Sequence, residues 1–386
     1  MNLNDYFDPI EIKNTQRNYI KSNVQLLSII SVNTKKTPIE NVEDTDLVII
    51  GLPNSKKEEE FIDEFSEIRG ELYSLSAYKK IKLFDLGNFK CGKTKSDTII
   101  GLRDVIVELV SKNIIPIIIG NSEDIIYAQF LALKKTGKKV NLAIVDSKIA
   151  ALENKETGLK TTLWKIFTEE NDSLFAFTNI GYQSYFVNPK TLQFLSENNH
   201  VAYRTGIIRS NIKEVEPILR DADIIGINIS SIRQSDAPAQ ASASPNGFYG
   251  EEICQIAKYA GTSNSISVFG VFDYNPSFDF NNQTSRMIAQ MIWYFIDGFY
   301  QRIPENPLNN SGYKKFHVNL NSFDYELVFY KSEKTNRWWM EIPVLDSENS
   351  KSYFLSCTIE DYQKAVKGEV PEKWILTFKK LNASQG

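Results

Sequence analysis

Histidine is almost missing from this chain: His200 and His317 are the two histidines among 386 residues. An enzyme built on several imidazole ligands, or on a histidine base with its supports, has little stock to draw on. Cysteine is scarce too, at three residues, which excludes a disulfide framework. Neither sign of charge prevails, since 44 Lys and Arg face 48 Asp and Glu for a net charge of −4. Without a basic excess there is no field to hold nucleic acid by its phosphates. Apolar runs stop at about eight residues, too short to cross a bilayer. Residues 1–12 are acidic and lack the apolar centre of a signal segment. These absences predict a cytoplasmic protein with no nucleic-acid partner and no membrane insertion.

What is present is an alternation of two patterns. Apolar, β-branched runs at 46–53, 82–87, 114–120, 140–146, 174–180, 223–229 and 265–272 read as buried strands. Segments with helical spacing lie between or after them, at 56–75, 98–111, 124–135, 192–198, 212–219, 251–260 and 283–300. The order predicts an α/β fold, a parallel sheet with helices on both faces in three layers. The first forty residues receive no assignment. Residues 303–311 are rich in Pro and Asn and read as a linker. Beyond it, 312–386 reads as a small α+β module with short antiparallel strands, a helix at 360–366 and a last strand at 374–378. The domain expectation is therefore 1–302, linker 303–311, and module 312–386.

Ligands in parallel α/β sheets bind at the carboxyl ends of the strands. Four such ends carry polar clusters: GNSED at 120–124, DSKIA at 146–150, NISSIRQSDAP at 228–238 and DYNP at 273–276. In order and spacing these resemble the arginase (ureohydrolase) motifs GGDHS, DAHxD, SxDxDxxDP and ExNP, over about residues 47–300. The segments SDAPAQASASPNGFYGEEICQIAKYAG and MIWYFIDGFY resemble more closely a formimidoylglutamase-like branch of gliding bacteria, which also carries the extra C-terminal module. The resemblance implies the three-layer fold and, for active members, a pair of manganese ions that hydrolyse a guanidine or formimino group.

Carried over position by position, the resemblance puts Glu123, Asp146, Lys148, Ala150, Asn228 and Ser230 where the family holds its six ligands. One carboxylate of the family type remains, Asp146, with Glu123 as a substitute. Lys148 would place an ammonium beside cations, a strong repulsion in a low-dielectric site. The expectation is therefore that Lys148 replaces the metal charge in an ion pair with Asp146 or Glu123, and that no cofactor is bound. On this reading the chain is a pseudoenzyme, a scaffold or protein-binding component, with gliding or type IX secretion suggested by the family setting. The alternative is a formimidoylglutamase-like hydrolase of amidine or guanidine C–N bonds, with manganese.

Arg233, Asp236 and Glu252 read either as groups for a small ligand or as a salt-bridge network holding loop 230–250; the network is favoured. Asp273 stands where the family binds the substrate guanidinium, so a ligand role is open. His200 and His317 are expected to hold no metal. In the aromatic module, one of Trp338 and Trp339 fills the core. The other covers the main domain or a protein partner, so Trp338 and Trp339 are both candidate partner contacts. A homo-oligomer is compatible with the sequence.

Overall fold

The computed structural model describes residues 1–12, 24–54, 63–77, 81–152, 160–309, 311–320, 325–345 and 351–382. A large sheet contains β1 (Phe7–Asp8), β2 (Ser31–Val32), β3 (Leu47–Leu52), β4 (Leu83–Phe89), β5 (Ile115–Gly120), β6 (Val140–Val145), β7 (Leu174–Tyr182), β8 (Val201–Arg204), β9 (Ile224–Asn228) and β10 (Val268–Phe272). Its order is β1-β4-β3-β5-β10-β9-β6-β7-β8, with β2 added on β4. Pairing is antiparallel between β1 and β4 and parallel in the central strands, where Gly270 of β10 lies between Ile118 of β5 and Gly226 of β9. The helices are α1 (Ser66–Ser74), α2 (Lys95–Ser111), α3 (Asp124–Lys135), α4 (Thr162–Thr168), α5 (Pro189–Glu197), α6 (Thr205–Ser210), α7 (Val215–Arg220), α8 (Gly250–Gly261) and α9 (Gln283–Gln301).

The expected three-layer α/β/α fold is what forms. Every residue of β3 and β5 is buried, as a sheet covered on both faces requires. One core lies on the α1, α8, α9 side and another on the α2, α3, α4 side. Helices α8 and α9 approach so closely that a Cβ on Gly261 would stand 2.1 Å from the Phe295 carbonyl oxygen, and one on Gly298 2.3 Å from that of Lys258. At the other edge, Arg69 of α1 is 2% exposed. It donates to Asp85 at 2.9 Å, Asp63 at 3.0 Å and Asn88 at 2.7 Å, and Tyr73 donates to Asp85 at 2.7 Å.

The C-terminal part is a separate antiparallel sheet of β11 (Tyr313–Leu320), β12 (Tyr325–Ser332), β13 (Trp338–Val344) and β14 (Lys351–Cys357), followed by α10 (Ile359–Val366) and α11 (Glu372–Asn382). The expected last strand at 374–378 is instead part of α11. Trp374 and Phe378, four residues apart, stack with ring centroids 5.0 Å apart, a contact that helical spacing provides and strand alternation does not. The early strands β1 and β2, and the edge strand β8, were not expected. Part of the helix read at 56–75 lies outside the described residues, and α1 covers its end.

Both tryptophans of the pair are buried inside the chain, so of the two expected roles for the outer one it is cover for the main domain, and neither Trp338 nor Trp339 is left as an exposed partner contact. Alternating strand direction sends Trp338 onto Phe316 and Tyr362 within the module. It sends Trp339 onto the guanidinium of Arg220 in α7, 4.4 Å from the ring centre. Further ties cross the same seam: Ser356 donates to Asp221 from its N–H at 2.8 Å and its hydroxyl at 2.6 Å, and Arg337 pairs with Glu216 at 2.9 Å.

Candidate functional site

Four neighbouring strands deliver polar groups to one end of the sheet. β5 ends at Gly120, and the turn after it leads through Glu123 into α3. Asp146 follows the last residue of β6, and its N–H is fixed to the Ile180 carbonyl at 3.1 Å. Asn228 closes β9, and Asp273 follows β10. Asp273 holds a left-handed backbone with φ of 70°, a conformation that a non-glycine residue adopts at a cost and that clusters at functional sites.

Glu123, Asp146, Lys148, Ala150, Thr162 and Asn228 line a cavity of about 120 Å³, closed below by Ile126, Ile144, Leu163 and Phe272. Asp146 is the best-held group. Its Oδ1 accepts the Lys148 N–H at 2.9 Å and the Ser230 hydroxyl at 3.1 Å, and its Oδ2 accepts the Asn228 amide at 2.8 Å. The Asn228 Oδ1 in turn accepts the Ser230 N–H at 2.8 Å. Desolvation still raises Asp146 to about 6, against those donors, with Asp273 adding repulsion. Glu123 is raised to about 7, first by burial and then by the charges of Asp146, Asp124 and Asp273. Burial raises Asp273 too, while the Lys148 ammonium holds it down. Three carboxyl groups thus share one region and hold their protons more tightly than free carboxyls do.

The structure corrects the expected role of Lys148. No ion pair joins its ammonium to Asp146 or Glu123. Its main-chain N–H reaches Asp146, while the ammonium lies over the Phe186 ring, 5.4 Å from its centre. Sequence spacing fixes where the backbone sits but not which way a long side chain turns.

Arg233 and Asp236 are not among the cavity residues. They pair with each other at 2.9 Å, and Asp236 also accepts the Gly250 N–H at 2.8 Å. Tyr249 carries Arg233 over one ring contact and Arg209 over another, at 4.0 and 3.9 Å. Glu252 pairs with Arg209 at 3.0 Å, not with Arg233. This is the favoured network around loop 230–250. His200 is buried near α11, and His317 pairs with Glu326 at 2.9 Å on the module; neither is near the cavity. Thr162 and Phe186 were missed, because each comes from a loop-bounded element with no motif to mark it.

No protein-family model matches the chain. A formimidoylglutamase of Staphylococcus haemolyticus is 26% identical over 189 residues, 46% of this chain and 60% of that protein. One of Bacillus subtilis is 23% identical over 197 residues, 48% of this chain and 61% of that protein. The chain thus spans about 60% of the length of the curated relatives it matches. Among solved structures, Trypanosoma cruzi formiminoglutamase with Mn2+ superposes with a TM-score of 0.62 at 18% identity, over 72% of this chain and 99% of that one. The formimidoylglutamase of Bacillus subtilis gives 0.62 at 20%, over 75% and 96%. An agmatine ureohydrolase of Thermoplasma volcanium gives 0.56 at 20%, over 68% and 92%. The large α/β/α part shares its fold with these formiminoglutamase and agmatine ureohydrolase structures.

These similarities correct two expectations. The curated relatives are named as formimidoylglutamases, which overturns the inactive scaffold as the leading expectation. The trypanosomal neighbour carries Mn2+, so the altered motifs did not warrant the expectation of no cofactor.

The described side chains of this chain nevertheless do not fit a two-ion centre. Among the described residues, no group of three or more His, Cys, Asp and Glu is arranged to hold a metal. Asn228 and Ser230 turn N–H and O–H donors toward Asp146, so its oxygens are already engaged. Ala150 offers no side-chain donor. No helix among the described residues is long and apolar enough to cross a membrane.

Proposed function

We propose that this chain hydrolyses the C–N bond of an amidine, as the names of its formimidoylglutamase relatives describe for those proteins. One observation carries the reading: Glu123 and Asp146 line a single cavity at the strand ends, with Asp273 close enough that its charge acts on both. An amidinium is a flat cation with N–H donors on both sides of its carbon. Carboxylates bind such a group through paired, charge-assisted hydrogen bonds.

The three acids divide the work by environment. Asp146, held by three donors, keeps a fixed orientation and offers the cation its charge and the one remaining acceptor site, on Oδ2. Asp273, pinned by its backbone, supplies a second negative charge. Glu123 is suited to move a proton near neutral pH. It takes one from the attacking water and returns it to the departing nitrogen, so the amidine carbon gains oxygen and loses an amine. The apolar floor of Ile126, Ile144, Leu163 and Phe272 keeps other water from the reacting carbon and strengthens each charge interaction.

The test is release of formamide and amine from N-formimidoylglutamate, and of ammonia from formamidine, by the purified full chain. Both are assayed with manganese added and after chelation. Glu123→Gln and Asp146→Ala should each lower turnover by roughly a hundredfold or more, the usual contribution of a proton-transfer group. No release from either probe under either condition would end this reading.

A further inference from the structure

The hydrolase reading leaves one half-buried amine unused, far from the cavity in the seam between α11 and the large sheet. Lys380 of α11 donates from Nζ to the Phe175 carbonyl at 2.9 Å and contacts His200 Nδ1 at 3.2 Å. The same His200 nitrogen accepts the Phe177 N–H at 3.1 Å, so it serves as an acceptor on a neutral ring. Phe167 and Phe177 pack on that ring, at 5.1 and 6.3 Å between centres. Burial and the nearby ammonium hold the imidazole down at about 3.

The ammonium has no carboxylate partner at ion-pair distance among the described residues. The charged neighbours lining the same cavity are Asp221 and Lys373. Asp221 is engaged by Ser356 through two hydrogen bonds, and Lys373 is paired with Asp361 at 2.5 Å. Desolvation with no carboxylate to offset it disfavours the charged form, and it outweighs the two acceptors and the Phe175 ring, 5.9 Å from Nζ, which favour the cation. Burial accordingly lowers Lys380 to about 8. Beside the amine lies a cavity of about 110 Å³ walled by Phe175, Phe177, Tyr203 and Tyr353, space for a small acyl group.

We propose that Lys380 is a modification site, acylated by small activated acyl donors of the acyl-phosphate or acyl-thioester class. The free amine attacks the acyl carbon, and an N–C bond forms. The acyl–oxygen or acyl–sulfur bond breaks, and phosphate or thiolate leaves with the electron pair. The nitrogen's surplus proton passes to solvent. The product amide has no charge and one N–H instead of three, so α11 loses part of its tie to Phe175 and His200.

The experiment is competitive trace labelling of the folded full chain with acetic anhydride from pH 6 to 10, and separately with acetyl phosphate, read by peptide mass spectrometry. The internal standard is Lys379, which is exposed on the same helix. At pH 7 a lysine lowered to about 8 carries far more free amine than an ordinary one, so Lys380 should label at least about tenfold faster than Lys379. Its labelling should rise through a midpoint near 8. Equal or slower labelling of Lys380 overturns the proposal, as does labelling that appears only after denaturation. Activity plays no part in this readout, so its outcome is independent of the hydrolase reading.

Discussion

Replacing Glu123 with glutamine isolates the electrostatic cost of the cavity. Glu123 enters α3 with its carboxyl buried near Asp146, Asp124 and Asp273, and its pKa rises from 4.5 to about 7. An acid with a raised folded-state value binds its proton more tightly in the native protein than in the unfolded chain. Its favourable contribution is complete below 4.5 and is lost as pH rises through 7. Above pH 7 the native state therefore bears the full cost of the buried charge. At about 1.4 kcal/mol per unit, that cost is at most about 3.5 kcal/mol, less what relaxation and coupling to Asp146 recover. Glutamine keeps the shape and carries no charge. Glu123→Gln should match the wild type near pH 4.5 and exceed its stability by about 2–3 kcal/mol at pH 8. Urea unfolding of chelated protein at closely spaced pH values from 4.5 to 8.5 measures both curves. If the two run parallel across that range, Glu123 is not the strained acid described above.

Other perturbations separate the remaining contacts. Arg69→Met strands Asp85 and Asp63 without their cation in a buried site, and chemical denaturation should show a loss of about 3–5 kcal/mol. Gly261→Ala and Gly298→Ala each drive a methyl into a backbone carbonyl across the α8–α9 contact. Each should lower the thermal midpoint, with at least about 1–3 kcal/mol of overpacking cost, and an unchanged midpoint would refute the close approach. Lys148→Met should change stability by no more than about 1 kcal/mol, since the side chain gives up a ring contact and a longer-range attraction to Asp273, not a direct ion pair. A loss of several kcal/mol in the same unfolding assay would restore the ion pair.

The large sheet was legible because its strands are short and almost wholly apolar. A run such as residues 114–120 can be satisfied only with both faces covered. β1 and β2 were not legible, since two-residue strands carry no period, and β8 is a four-residue edge strand of mixed exposure. The segment 374–378 was misread because Trp, Ile and Phe favour strands intrinsically, while here the 3.6-residue spacing of Trp374 and Phe378 set their packing. The strand-end clusters were found because strand ends in this architecture collect polar groups. Their internal geometry was not found. That Asn228 and Ser230 aim donors at Asp146, and that Lys148 turns to Phe186, depends on rotamers chosen by neighbours distant in sequence.

The sequence alone settled the layers, the parallel sheet and which strand ends bear acids, because hydrophobic period and loop composition act locally along the chain. Tertiary structure alone decided how burial and mutual charge raise those acids, where Trp338 and Trp339 are buried, and that Lys380 meets His200 with no carboxylate partner among the described residues. These depend on desolvation and on contacts between distant segments, which arise only once the layers have closed.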